Sequence, residues 1–311
     1  MRALARSAGS IGCLTDPDAS SQSLQCRVCG AATGRLGTVH GDYSGRDYEL
    51  RRCGHCRYAF IANPWTEFDR IYDDRYYSGR GADPLVDYRF ELDEPGRTIR
   101  QYEWRGITSR VERLLGTLND VRWLDFGCGN GGLVRYLLDH TRVSAHGFEQ
   151  GSIAASALAV GIPMLSATAL SEYTGSFDVV TAIEVLEHTV DPLAELKTIR
   201  GLLRPGGLLF LTTGNAAPFA ARLTHWSYVV PEIHISFFEP GTLEYALNKC
   251  GFRPARVPAD DGFDQILKFK VLKNLRVRRR NFLTDLIPAS PLAAAAERKV
   301  RLSEHPVGWA Q

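Results

Sequence analysis

No run of eighteen or so apolar residues, the length that a bilayer-spanning helix needs, occurs in this chain. The first twenty-odd residues have no apolar core of the kind a secretory signal carries, so a cytoplasmic placement is expected. Charge of one sign is not in excess either: 37 basic and 35 acidic residues leave a net +2. That balance excludes a global field drawing the protein onto a polyanion, so any such contact has to be local. Cysteine is scarce and odd in number, seven in 311 residues, which disfavours a disulfide framework. What is present is ordinary for a globular protein. Hydrophobic residues make up 44% and charged residues 23%, and the length fits one full α/β domain with a smaller appendage.

Four of the cysteines form two C-x-x-C pairs, Cys26 with Cys29 and Cys53 with Cys56, in a Gly-punctuated stretch with little apolar content. In a reducing compartment such pairs point to a metal rather than to disulfides. Four thiolates saturate zinc and leave no position open for chemistry, so the expected role is structural, and loss of the metal is expected to unfold the module. His40 and His55 are alternative ligands, disfavoured by the symmetry of the two pairs. Cys13, Cys128 and Cys250 remain as free thiols.

The chain divides accordingly into a flexible leader (1–23), a four-cysteine module (24–62), a linker rich in aromatics and turn residues (63–97), a main domain (98–260) and a basic, partly helical extension that completes the sheet (261–311). The linker's Tyr72, Tyr76 and Tyr77 are expected to pack between domains rather than to face a substrate. Helical spacing of apolar residues from Thr98 to Leu118 marks a long amphipathic helix. After it strands and helices alternate, which predicts a parallel sheet covered on both faces. An Ala-rich helix is expected near the C-terminus.

The segment WLDFGCGNGG puts a strand directly before a loop with Gly127, Gly129, Gly131 and Gly132, and a helix follows. Glycines there let the backbone turn sharply and approach a nucleotide closely. The spacing also satisfies G-x-G-x-x-G, so a dehydrogenase is a rival. Asp125, two residues before Gly127, would repel a pyrophosphate and welcome an ammonium. Glu149 ends the next predicted strand and can accept ribose hydroxyls in either kind of enzyme.

In their order, LDFGCGNG, the strand-end acid, FDVVTAIEVLEH and LLRPGG closely resemble class I S-adenosylmethionine-dependent methyltransferases, over roughly residues 95–252. The resemblance implies a Rossmann-like seven-stranded fold carrying the small N-terminal zinc-ribbon-like module. It implies that Asp125, Gly127 and Gly129 surround the methionine part of the cofactor, that Cys128 and Gly131 belong to the same cofactor-binding loop, and that Glu149 holds the ribose. Ser166 and Ala167 would line the adenine, with Ser166 standing where relatives carry an acid, and Glu184 would complete the cofactor site. In related quinone O-methyltransferases a segment like Glu184-Val-Leu-Glu187-His188 can hold a divalent ion; the alternative is a loop network supporting the cofactor. His188 and His234 are the candidate catalytic bases, since imidazole titrates near neutrality.

The function expected is methylation of a small molecule, a sugar, quinone-like phenol or natural product, with oxygen the favoured acceptor atom. An RNA methyltransferase using the zinc module and the basic run Leu272–Arg280 is an alternative, disfavoured by the balanced charge. A nonenzymatic cofactor-binding protein is another. The same basic run could also meet a membrane surface peripherally.

Overall fold

The computed structural model describes residues 25–256, 260–292 and 306–310; Cys13 and most of the expected Ala-rich helix lie outside them. Two sheets organise the chain. The larger is built from β4 (Arg122–Phe126), β5 (Ser144–Phe148), β6 (Met164–Leu165), β7 (Phe177–Ile183), β8 (Leu203–Thr212), β10 (Phe252–Arg256) and β11 (Pro306–Ala310). Their order is β10-β11-β8-β7-β4-β5-β6. The pairs from β8 to β6 are parallel, and β11 lies antiparallel between β8 and β10.

Residues within these strands alternate between two cores, as a pleat with period two dictates. Leu124, Val180, Leu209 and Leu211 face the helices Pro192–Leu202 and Pro240–Lys249. Trp123, Val179, Leu208 and Phe210 face the helices Arg100–Leu115 and Gly132–His140. Because both faces are covered, the central strands read as nearly unbroken apolar runs rather than as alternating ones. The chain moves outward from β4 to β6 and then returns to β7 on the other side of β4. The loops after β4 and β7 therefore diverge at the carboxyl edge of the sheet, where a crevice has to open.

The smaller sheet has the order β1-β2-β3-β9, from Thr33–Gly41, Arg46–Cys53, Ala59–Ile61 and Ser236–Phe237. Its fourth strand comes from the far end of the main domain, so the cysteine module is stitched into the rest of the protein. Val28, Tyr58 and Phe60 share one apolar cluster with Phe126, Leu186 and Phe238. The segment 63–97 folds into short helices, among them Asp74–Tyr77 and Tyr88–Asp93, laid over the carboxyl edge of the large sheet.

Residues 267–271, whose apolar and basic residues alternate, lie in a helix, Asp261–Asn274, that crosses the helix Arg100–Leu115 at a pair of glycines. A Cβ on Gly106 would sit 2.4 Å from the Gly262 carbonyl oxygen. Gly106→Ala should therefore force the two helices apart and cost about 1–3 kcal/mol, read as a lower denaturant midpoint. Gly241→Ala, where a Cβ meets open space, should leave the midpoint unchanged or raise it.

Candidate functional site

A cavity of about 1410 Å³ opens at the carboxyl edge of the large sheet. Ligand pockets usually measure about 300–1,000 Å³, so this one has room for a nucleoside-sized molecule and a second reactant. Asp125, Gly127, Cys128, Gly129, Glu149, Glu184, His188 and His234 all line it. Gly131, Ser166 and Ala167 are not among its lining residues. Ser166 instead caps the short helix Ala167–Leu170, its hydroxyl accepting from the Ala169 amide at 3.1 Å. Phe148, Gln150, Gly151 and Ser152 form the wall beside Glu149.

The glycine loop is folded for close approach. Gly127 and Gly129 have φ of +72° and +56°, a region in which a side chain is strained. Cβ atoms there would meet Val185 at 2.7 Å and the Tyr88 ring at 2.9 Å. The amides of Gly127 and Cys128 both donate to the Phe148 carbonyl. Glu149 is held by two backbone donors, Gly129 N–H at 3.0 Å and Gly151 N–H at 2.7 Å, which leave lone pairs on both oxygens for further donors. Asp125 is buried and accepts from Thr181 Oγ1 at 2.7 Å. Burial pushes its carboxyl up to about 7, against the opposing effects of Thr181 and Arg100. A cationic ligand would be needed to hold it fully ionised.

Opposite the glycine loop lies a charged floor that composition alone does not reveal. Arg100 donates to both oxygens of Glu91 at 3.1 Å and to Glu103 at 2.9 Å. Lys270 bridges Glu103 at 3.4 Å and Glu184 at 3.2 Å. Arg100 and Glu103 stand three apart on one helix face, and this spacing was the available signal. Lys270 reaches the site only because of the helix crossing at Gly106. Glu184 adopts φ +53°, one of four non-glycine residues with positive φ among those described. Such strain persists where its surroundings over-determine it: the Glu184 amide donates to Thr212 O, and its carboxylate takes Thr212 Oγ1 and Lys270. Burial alone would raise the Glu184 carboxyl, but Lys270 and Lys273 hold it below the usual range.

On the acceptor side of the cavity, the loops after β7 and β8 and the segment before β9 meet. The Tyr228 hydroxyl donates to Glu187 Oε1 at 2.5 Å, with Glu184 Oε2 3.2 Å away, and Thr213 Oγ1 donates to Glu187 Oε2 at 2.7 Å. Burial, reinforced by Glu184, pushes Glu187 up to about 8. His234 Nδ1 meets the Tyr228 carbonyl, which fixes the proton on Nδ1 and leaves the Nε2 lone pair available. His188 touches His234, with ring centroids 4.9 Å apart, and its Nδ1 meets the Tyr72 hydroxyl at 3.0 Å. Burial, with His234 beside it, pulls His188 down to about 3, and burial lowers His234 as well. Both shifts favour the neutral ring at pH 7.

The ligand atoms of Glu187, His188 and His234 lie within 4.8 Å of one another, whereas Glu184 turns to Lys270. Both Glu187 oxygens and the His188 ring nitrogen facing Tyr72 have hydrogen-bond partners, as a loop network requires. Tyr72, Tyr76, Tyr77 and Tyr88 form a contiguous roof, with Tyr76 and Tyr77 buried, so the tyrosines both pack and line the cavity. Tyr88, Arg100, Tyr228 and Lys270 are among the lining residues that sequence reasoning missed.

Away from the cavity, the Sγ atoms of Cys26, Cys29, Cys53 and Cys56 lie within 4.8 Å of one another. The closest pairs, Cys26–Cys56 and Cys29–Cys53, are 3.4 Å apart. No disulfide joins them. Amides of Cys29 and Cys56 point at the sulfurs of Cys26 and Cys53 within the two turns, as donors do toward thiolates that hold a metal. A tetrahedral zinc shell with Zn–S of about 2.3 Å spaces sulfurs about 3.8 Å apart, so the cluster fits such an ion.

Residues 97–257, slightly more than half of the chain, match the family described as "Methyltransferase domain". The ubiquinone biosynthesis O-methyltransferase of Parvibaculum lavamentivorans is 40% identical over 118 residues, 35% of this chain and 46% of that protein. The ubiquinone biosynthesis O-methyltransferase of Bordetella pertussis is 30% identical over 166 residues, 46% of this chain and 67% of that protein. The chain thus spans about half to two thirds of the length of these relatives. An S-adenosylmethionine-dependent methyltransferase structure from Mesorhizobium loti superposes with a TM-score of 0.42 at 19% identity, covering 56% of this chain and 98% of that one. The family match over residues 97–257, with the glycine loop and strand-end acids meeting at the sheet's switch point, makes this chain a member of the class I S-adenosylmethionine-dependent methyltransferase family.

Proposed function

We propose that the protein transfers a methyl group from S-adenosylmethionine to an oxygen of a small acceptor, with a quinone-like phenol the favoured class. The observation that carries this reading is the meeting, in one cavity, of a cofactor cradle and a pair of neutral histidines. The cofactor supplies an electrophilic methyl on a sulfonium. Asp125 and Arg100 offer opposite charges for the amino and carboxylate ends of its methionine part, and Glu149 accepts from the ribose. His234 Nε2 takes the proton of the acceptor hydroxyl, and His188, itself tied to Tyr72, holds the His234 ring in place. The relatives' names support a quinone-like acceptor among the classes expected from the sequence. The four-cysteine cluster is assigned to structural zinc on the strength of its donor set. No helix among the described residues is long and apolar enough to cross a membrane.

Calorimetric titration of metal-analysed protein with S-adenosylmethionine, S-adenosylhomocysteine and NAD, followed by turnover with a catechol, tests the assignment. Binding of the first two and methylation of the catechol oxygen is the expected result; binding of NAD alone would overturn it. Glu149→Ala removes a charged acceptor, an interaction worth about 1.5–3 kcal/mol. Its affinity for S-adenosylmethionine should fall roughly ten- to hundredfold while the thermal midpoint holds.

A further inference from the structure

Eleven large apolar side chains stand exposed among the described residues; six lie elsewhere in the chain, Leu158 and Val160 as a pair and the other four singly. The other five fall within residues 275–287: Leu275 (69% exposed), Phe282 (70%), Leu283 (62%), Leu286 (67%) and Ile287 (36%). Clustering of this kind marks an interaction surface, whereas isolated exposed apolar residues need no explanation.

The segment is not a loose tail. Asn281 closes a capping box on the short helix Phe282–Leu286. The Tyr102 hydroxyl donates to Asp285 Oδ1 at 2.8 Å with Thr284 Oγ1 3.0 Å away, and Lys268 Nζ donates to the Ile287 carbonyl at 2.7 Å. Arg280 N–H donates to the Arg97 carbonyl. The polar groups thus anchor the segment inward and leave its apolar side chains outward. The flanking charge is mostly basic, with Arg278 itself paired to Asp87 at 3.8 Å. Arg105, Arg276, Arg278 and Arg279 are exposed around it, and Asp285, the acid within the segment, is paired with Arg280.

We propose that residues 275–287 dock the protein on an anionic lipid bilayer, with the apolar side chains entering the interfacial region and the arginines meeting lipid headgroups. Exposed aliphatic side chains among arginines suit a membrane surface, where each basic residue adds to an apolar anchor. Four of the five are aliphatic, and the single ring, Phe282, gives RNA little of the successive stacking surface that it needs. The surface is continuous with the cavity: Lys270, Val271, Lys273 and Asn274 line the cavity on the helix Asp261–Asn274, and Leu275 follows directly. A bilayer held there lies beside the route by which an apolar acceptor would enter.

Flotation of the full-length protein with vesicles of phosphatidylglycerol and phosphatidylcholine, against phosphatidylcholine alone, tests this. The wild type should float with the anionic vesicles, and binding should weaken with added salt. Phe282→Ser with Leu286→Ser should lower partitioning at least about tenfold, as should Arg276→Ser with Arg279→Ser, while both variants keep the wild-type thermal midpoint and S-adenosylmethionine affinity. Failure of the wild type to float, or equal flotation of both variants, would overturn the proposal. So would a concentration-dependent dimer in sedimentation, or a gel shift with single-stranded RNA, that the same substitutions abolish when no vesicle binding is seen. The readout requires no turnover, so it stands apart from the assignment of the acceptor.

Discussion

With zinc on the four cysteines, as proposed, Cys53→Ser is expected to yield protein without the metal, with a lowered thermal midpoint and with methyl transfer reduced more than about a hundredfold, yet still able to bind S-adenosylmethionine. One of four thiolates lost from a closed tetrahedral shell removes most of the metal affinity, and with it the free energy that the metal gives to folding. The effect should reach the acceptor side because the module is hydrogen-bonded to it. Ile61 N–H donates to the Ile235 carbonyl at 2.9 Å, next to His234 in sequence. Tyr58 and Ser236 share a hydrogen bond at 2.5 Å, and Ser236 Oγ donates to the Thr189 carbonyl at 2.8 Å, next to His188. Ile235 N–H donates to the Glu187 carbonyl. Loss of the knuckles frees β3, then β9, then both histidines. The cofactor loop is held differently, by Phe148 and Glu149. Metal analysis, calorimetry and turnover on one sample separate these effects; a zinc-free variant with the wild-type midpoint and rate would refute the account.

His234→Gln should cost about 10²–10⁴-fold in kcat, the range that a positioned general base contributes, with KM for the acceptor and cofactor affinity changed little. The pH profile is the sharper readout. Burial lowers His234 from its ordinary value of 6.5, so the neutral form, which takes the proton, prevails at pH 7. As pH falls through the lowered value the ring becomes charged and the rate drops. The acid limb of the wild-type profile should therefore lie below pH 6.5 and disappear in the variant. A variant with wild-type kcat, or one whose acid limb persists unchanged, would move the role to another group. His188→Gln should have a smaller effect, since its Nδ1 is occupied by Tyr72 and its role is to hold His234.

The site was legible where chemistry lies close together in the chain. Asp125, Gly127, Gly129 and Glu149 fall within twenty-five residues, because a strand, its loop and the next strand end are consecutive in a β/α unit. The two C-x-x-C pairs are legible for the same reason, since each knuckle is a local turn. Arg100 and Lys270 were not, because 170 residues separate them and only the crossing at Gly106 and Gly262 brings both helices to one floor. Ser166, expected at the adenine from its position after the third strand, caps the next helix and does not line the cavity.

What the sequence by itself determined is the periodic and local content: the alternation of strands and helices, the glycine loop with its two acids, and the paired cysteines. These follow from backbone geometry and side-chain spacing over a few residues. Tertiary structure alone decided which side of the sheet each loop would face, that β9 completes the module's sheet, that Tyr228 would join Glu184 and Glu187, and that His188 would meet His234. Those pairings depend on burying apolar faces shared by distant segments, a property of the whole folded chain that no local window contains.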